Sequence, residues 1–321
     1  MKIYSDDGYA AMLLTMALSP DREEYARPFS VQEFRALESA TRNSDLKHIG
    51  RLLNMDISGL MIHLGMTEEM AYRAFTLLQR LVQLTYALEA FDREGIEVVT
   101  CYDAEYPVRI RRKMGENAPA FFYICGNEAL LTQKAVAIVG IRGVRTDADV
   151  REMLEELVQS AVKRGYAIIT GGELGVCRAA AMLTLKYGGQ LMDVLGGGMQ
   201  EHIHEEGVAE LIGMGAGAAL SMVHPQTVFT VSHAIARNKL LFSMADAAFI
   251  FNTDGRRGEN DILQNRLCDW VYAWEGSARN LPLISKGAMP LNRGMLADFD
   301  ALSSHWSSSS AEQLSIFDLF G

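Results

Sequence analysis

An α/β fold with a doubly wound, mainly parallel sheet is predicted by the stretch from Ala135 to Met199, and three observations predict it. Short apolar runs at residues 135–139, 166–170 and 191–195 alternate with segments of helical spacing. The runs are almost continuously apolar, as strands covered on both faces are. Each run stops at glycine: Gly140, then Gly171, Gly172 and Gly175, then Gly196, Gly197 and Gly198. Strands that alternate with helices form parallel sheets, and open sheets of this kind hold ligands beyond the carboxyl ends of their strands. The glycine-bearing edge is the expected functional site.

Residues 1–95 read as a small helical domain. Apolar residues recur at helical spacing over 46–53 and 57–64. Thr67, followed by Glu68 and Glu69, caps a helix expected to run through Leu77, Leu78, Leu81 and Leu84 towards Leu88. Joints at Gly59 and Gly65 suit a helix-hairpin type module; packing of a plain helical domain on the main one is the favoured reading. Residues 96–300 form the second unit. Residues 96–99 suit an edge strand and Tyr102 to Pro107 a turn. Arg109, Arg111, Arg112 and Lys113 make a solvated helix face or border a phosphate-binding cleft. Residues 121–124 form a further strand that extends the sheet.

Within the central array, Thr146 caps a helix carrying Val150, Leu154, Leu157, Val158 and Ala161, and residues 176–187 form the next helix. The alternation continues with a helix over 205–214, a strand over 218–223 and a helix over 231–244. A strand over 247–251, a helix over 260–275 and a last strand over 281–285 complete six strands counted from Ala135. Residues 301–321 differ in kind. Ser303, Ser304 and Ser307 to Ser310 read as a flexible linker to an apolar decapeptide, 312–321.

The net charge of −10 over 321 residues argues against unselective wrapping of duplex DNA but leaves room for a local basic cleft. Cys101, Cys125, Cys177 and Cys268 lack CxxC spacing, so neither a zinc knuckle nor a redox pair is expected. The apolar run over 10–18 is too short to span a membrane and follows Asp6 and Asp7, where a signal peptide would be basic. A soluble, cytoplasmic protein is expected.

On these residues the chain resembles the DNA-processing family, DprA/Smf, from about residue 45 to 290. Tyr106-Pro107 resembles the family's Tyr-Pro element, Gly140-Ile141-Arg142 its first glycine loop and Thr170 to Gly175 its second. Val194 to Gly198 resembles the third loop, and Arg237-Asn238-Lys239 the Arg-Asn-Arg signature. Leu174, Cys177, Ala181, His202-Ile203 and Met222 depart from the family pattern, which marks a divergent branch. The resemblance implies a Rossmann-like sheet, single-stranded DNA binding, loading of the RecA recombinase during transformation, and dimerisation. It implies no nuclease or ligase chemistry.

Read physically, glycine turns at helix starts let backbone N–H groups approach an anion. Arg142, Arg145, Arg237 and Lys239 lie beside them, and cations converging on glycine loops point to phosphate. The alternative is that the glycines only allow tight turns and that Arg237 is a helix-surface charge. His202-x-His204 lacks a third ligand, so no metal is expected. Cys177 reads as a small buried residue, and Phe122 and Tyr123 as strand core. Glu173 has no catalytic partner in view, so neither an enzyme nor a cofactor is expected. The competing class is a nucleotide-binding or nucleotide-hydrolysing protein of the related phosphoribohydrolase group. That group needs a Pro-Gly-Gly-x-Gly-Thr loop, which this chain lacks. Gln313-Leu314-Ser315-Ile316-Phe317 resembles the pentapeptide by which bacterial proteins dock on the β sliding clamp; folding back onto the protein is the other reading.

Overall fold

The computed structural model describes residues 2–19, 26–140, 148–253 and 259–306. Ser5 accepts a hydrogen bond from the Gly8 N–H and so caps α1 (Asp6–Thr15), whose residues Ala10 to Leu14 are fully buried. Ser30 and Glu33 form a reciprocal capping box on α2 (Val31–Asn43). The spacing over 46–53 becomes a 3-10 turn, Ile49–Asn54, before α3 (Ile57–Leu64). Thr67 caps α4 (Glu68–Leu78) as expected, but the helix does not continue to Leu88. It breaks at Gln79 and Arg80, and α5 (Leu81–Arg93) starts afresh. The break frees the Arg80 guanidinium to donate to the Leu13 and Met16 carbonyls at the end of α1. Those carbonyls have no partner inside their own helix.

β1 (Ile96–Thr100) and β2 (Phe121–Gly126) flank α6 (Val108–Met114) and pair antiparallel. β2 pairs antiparallel with a strand of the central array, so the pair extends the sheet. The array itself runs β3 (Ala135–Gly140), α7 (Ala148–Lys163), β4 (Ala167–Thr170), α8 (Val176–Lys186) and β5 (Leu191–Leu195). It continues with α9 (Val208–Gly213), β6 (Gly217–Ser221), α10 (Val231–Ser243) and β7 (Ala247–Asn252). Then come α11 (Glu259–Gln264), β8 (Trp270–Trp274), α12 (Leu281–Ser285), β9 (Met289–Leu291), α13 (Arg293–Ala297) and α14 (Phe299–Ser304).

Three expectations are corrected in this last stretch. The helix read over 260–275 stops at Gln264, and Trp270–Trp274 is a strand parallel to β7. Its Trp, Val and Tyr side chains favour extended backbone against a neighbouring strand. The strand read over 281–285 is a helix with Pro282 in its first turn, where proline fits. The closing strand is instead Met289–Leu291, so seven parallel strands rather than six follow from Ala135. The helix expected over 205–214 shortens to α9 behind a 3-10 turn at His202–His204. Ser303 and Ser304 belong to α14, and Trp306 is buried beside Phe249, Tyr166 and Phe299, so any linker begins beyond it.

The sheet order is β1-β2-β6-β5-β4-β3-β7-β8-β9. Alternate side chains of β3 enter opposite cores. Ala135 and Ala137 join α1–α6 and α10 on one face, while Val136 and Ile138 join α7, α8 and α14 on the other. Helices α1–α5 therefore share one continuous core with the sheet. Among the described residues, no helix is long and apolar enough to cross a membrane.

Candidate nucleic-acid interface

Because β3, β4 and β5 run parallel, Gly140, Gly171 and Gly196 meet at one carboxyl edge. Strand order reverses at β3, which has β4 on one side and β7 on the other. That switch point is where open sheets of this class leave a crevice. The carboxyl ends of β3 and β7 flank it. Arg142, Arg145 and the Thr146 cap follow the first of these in sequence and lie outside the described residues, as does the peptide Gln313 to Phe317.

The second and third glycine loops line a cleft of 590 Å³. The segment from Pro225 to Phe229 forms its far wall. Gly198 N–H donates to Thr227 O at 2.6 Å, and a side chain at Gly198 would collide with Pro225 O, 2.0 Å from its Cβ. Here the glycine admits the protein's own backbone. Glu173, Glu201 and Glu205 line the cleft, and among the described residues no lysine or arginine does.

Arg237 and Asn238 sit inside the fold rather than on its surface. The Arg237 Nη1 donates to Gly171 O at 2.7 Å and to Val194 O at 3.0 Å. Its Nη2 reaches Glu173 Oε1 at 3.2 Å. One guanidinium thus ties the ends of β4 and β5 to α10. Gly171 is required by the same contact, since a Cβ there would lie 1.8 Å from Nη1. Lys239, two residues further along α10, is half-buried and stands 3.9 Å from Asp261 of α11.

Below the cleft lies a group that sequence reading missed. Asp193, within the apolar strand β5, is 1% exposed and accepts from the Thr170 hydroxyl. Thr170 in turn accepts from the Gly172 N–H at 3.0 Å. The second carboxylate oxygen lies 2.9 Å from His202 Nε2, and His202 Nδ1 lies 3.2 Å from Glu205 Oε1. Arg178 closes the chain on Glu205 at 3.0 Å. Both His202 nitrogens are engaged, and His204 is exposed. Burial opposes charge on His202. The hydrogen bond and charge of Asp193, backed by Glu205, outweigh it and raise the pKa above the ordinary 6.5. Cys177 is buried, and burial pushes its thiol up. Tyr106 is likewise internal, its hydroxyl donating to Pro119 O at 2.8 Å. A lone carboxylate in a wholly apolar strand was the one signal for Asp193, since buried acids are almost always paired.

Two outcomes follow. Replacing Arg237 with alanine strands Glu173 and two carbonyls, and should lower the urea-unfolding free energy by about 3–5 kcal/mol. A loss below about 1 kcal/mol would refute this internal role. For His202, a raised folded-state pKa means stability is fully present below about 6.5 and is lost as pH rises through the folded value. Melting temperature should therefore fall as pH rises above that point, and His202→Gln should flatten the dependence. Parallel curves for the two proteins would show that His202 is not charged in the fold.

The sequence profile of the family described as DNA recombination-mediator protein A matches residues 97–261. DNA processing protein DprA of Bacillus subtilis (strain 168) is 22% identical over 178 residues, 55% of this chain and 59% of that protein. The chain thus spans less than two thirds of that relative's length. The structure of DprA from Streptococcus pneumoniae superposes with a TM-score of 0.65 at 19% identity, covering 93% of this chain and 99% of that one. DNA processing protein A from Helicobacter pylori, whose structure was described for its single-stranded DNA binding mode, gives a TM-score of 0.54 at 18% identity. That match covers 66% of this chain and 98% of the Helicobacter one. With a matched span of more than half its length on this shared fold, the chain belongs to the DNA recombination-mediator protein A family.

Proposed function

We propose that the protein binds single-stranded DNA along the carboxyl edge of its sheet and mediates recombination by delivering the strand to a RecA-type recombinase. The observation that carries this reading is the meeting of three glycine turns beside the topological switch point, in a member of a recombination-mediator family. Arg142 and Arg145 follow β3, and Lys239 stands beside α11, which follows β7. These cations flank the switch from both sides and are the proposed phosphate contacts. Gly140, Gly172, Gly175, Gly196 and Gly197 are the proposed backbone contacts. Arg237 acts from inside by holding the loops, with Asn238 buried beside it. Glu201 repels phosphate from the neighbouring cleft, in which Glu173 and Glu205 are held in ion pairs, and this keeps the strand at the switch point. No catalytic step is assigned.

The helical segment 1–95 and the sheet unit 96–300 are proposed as divisions of labour within one shared core. The tail beyond Trp306 is proposed to tether the protein to the β sliding clamp through Gln313, Leu314, Ser315, Ile316 and Phe317. Apolar anchors seated in a pocket carry most of a short peptide's affinity.

Titration with single-stranded DNA, duplex DNA and mononucleotides at two salt concentrations tests the groove. Changing Arg142, Arg145 and Lys239 to alanine should weaken all sequences alike, each lowering the salt slope by about one unit or less. An unchanged affinity in the triple variant would remove the assignment. For the tail, purified clamp should be recovered by the full protein and lost with Leu314, Ile316 and Phe317 changed to alanine. Equal recovery would sink the tether.

A further inference from the structure

The amino edge of the sheet, opposite the glycine loops, carries a second cavity of 380 Å³. Its walls come from α6 and from the residues that lead into three parallel strands: Lys134 before β3, Ala245 and Asp246 before β7, and Asp269 before β8. The volume lies within the range of about 300–1,000 Å³ typical of small-molecule sites. Four cations line it, Arg109, Arg112, Lys113 and Lys134, against two carboxylates, Asp246 and Asp269. An excess of two positive charges stands out in a chain whose net charge is −10.

The cations are not equivalent. Arg109 is held by the Met244 and Gln133 carbonyls and lies 3.9 Å from Asp246, and Lys113 pairs with Asp269 at 2.5 Å. Those two build the wall. Arg112 is exposed and has no ion pair among the described residues. Lys134 is exposed too, its Nζ 5.6 Å from the Tyr166 ring centroid. A second, independent observation comes from Trp270. Its indole lines the cavity, and its Nε1 is buried with no acceptor among the described residues. Buried donors in native proteins almost always have a partner, so an orphan in this wall, beside exposed cations, points to an acceptor from outside.

We propose that this cavity binds a nucleoside phosphate, with Arg112 and Lys134 receiving the phosphate and Trp270 offering its N–H and aromatic wall. A bare phosphate would leave most of the volume and the indole face unused, whereas bases stack on aromatic side chains whatever their identity. The phosphate belongs either to a free nucleotide or to a DNA strand that reaches round from the other edge. Among the described residues Arg112 and Lys134 make no side-chain hydrogen bond or close ion pair; Lys134 has only the ring of Tyr166 and the more distant charge of Asp246, so both tolerate substitution.

The test uses the full chain, titrated with a deoxynucleoside monophosphate, inorganic phosphate and an oligothymidylate, and followed by calorimetry and tryptophan emission. Arg112→Glu with Lys134→Glu should weaken nucleotide binding at least tenfold at an unchanged melting temperature, and Trp270→Phe should remove most of the emission change. Arg112→Gln with Lys134→Gln serves as the milder pair if charge reversal perturbs the fold. Sensitivity to the monophosphate identifies a free nucleotide as ligand. Sensitivity only to the oligomer, in a background with Arg142, Arg145 and Lys239 changed to alanine, identifies a strand. Binding of every probe unchanged by both pairs, or no binding of any probe, overturns the proposal. Inorganic phosphate binding as tightly as the nucleotide would overturn the assignment of a base to the indole. The carboxyl-edge reading fails or stands on its own triple variant, so the two results are separable.

Discussion

Arg237 puts a permanent charge at the point where β4 and β5 end, and much of the carboxyl edge depends on it. Strand ends there turn their last carbonyls away from any ladder partner. The guanidinium collects two of these oxygens and the carboxylate of Glu173. A lysine has no planar fork with which to reach three acceptors at once. Around this contact the second loop is fixed in place, Gly171 is obligatory, and the start of the third loop is set against α10. The buried chain from Thr170 through Asp193 to His202 and Glu205 supports the same two strands from the other side. The edge is therefore rigid where its glycines suggest mobility.

Charge is divided between the ends of the sheet in a way that net composition conceals. The cleft between the second and third loops is acidic, while the cavity at the strand starts is basic. Opposite signs of charge thus line two concavities of a molecule that is acidic overall. Glycine loops alone would not have indicated this, because the carboxylates decide which concavity a phosphate can enter.

Much of the architecture was legible because the central strands announce themselves as nearly continuous apolar runs punctuated by glycine. Legibility failed after β7. Residues Ile262, Leu263, Leu267 and Val271 recur at helical spacing, yet the tryptophan- and tyrosine-bearing segment pairs with β7 instead. Three-residue β9 is too short to carry any pattern. At the site, sequence placed Arg237 beside the glycine loops correctly but could not give the direction of its charge. A guanidinium facing a carbonyl and one facing a phosphate look alike in sequence. Asp193 escaped because its partners, Thr170 and His202, sit on other elements and meet it only through parallel strand pairing.

The shared core has a further consequence, for the order in which the chain can become structured. Helices α1–α5 emerge first during synthesis and cover one another and β1, all within the first hundred residues, whereas α6 closes on elements far later in the chain. Arg109 closes on Met244, and Lys113 on Asp269, across similar separations in the chain. Contacts this distant must bear the loop-closure entropy before they contribute, which slows folding. The nascent amino-terminal segment can therefore bury Ala10 to Leu14 early, whereas α6 waits for α10 and β8 to leave the ribosome. Truncation after β6 should uncover α6 and the β7-facing edge of β3, and so leave an aggregating product rather than a smaller folded one.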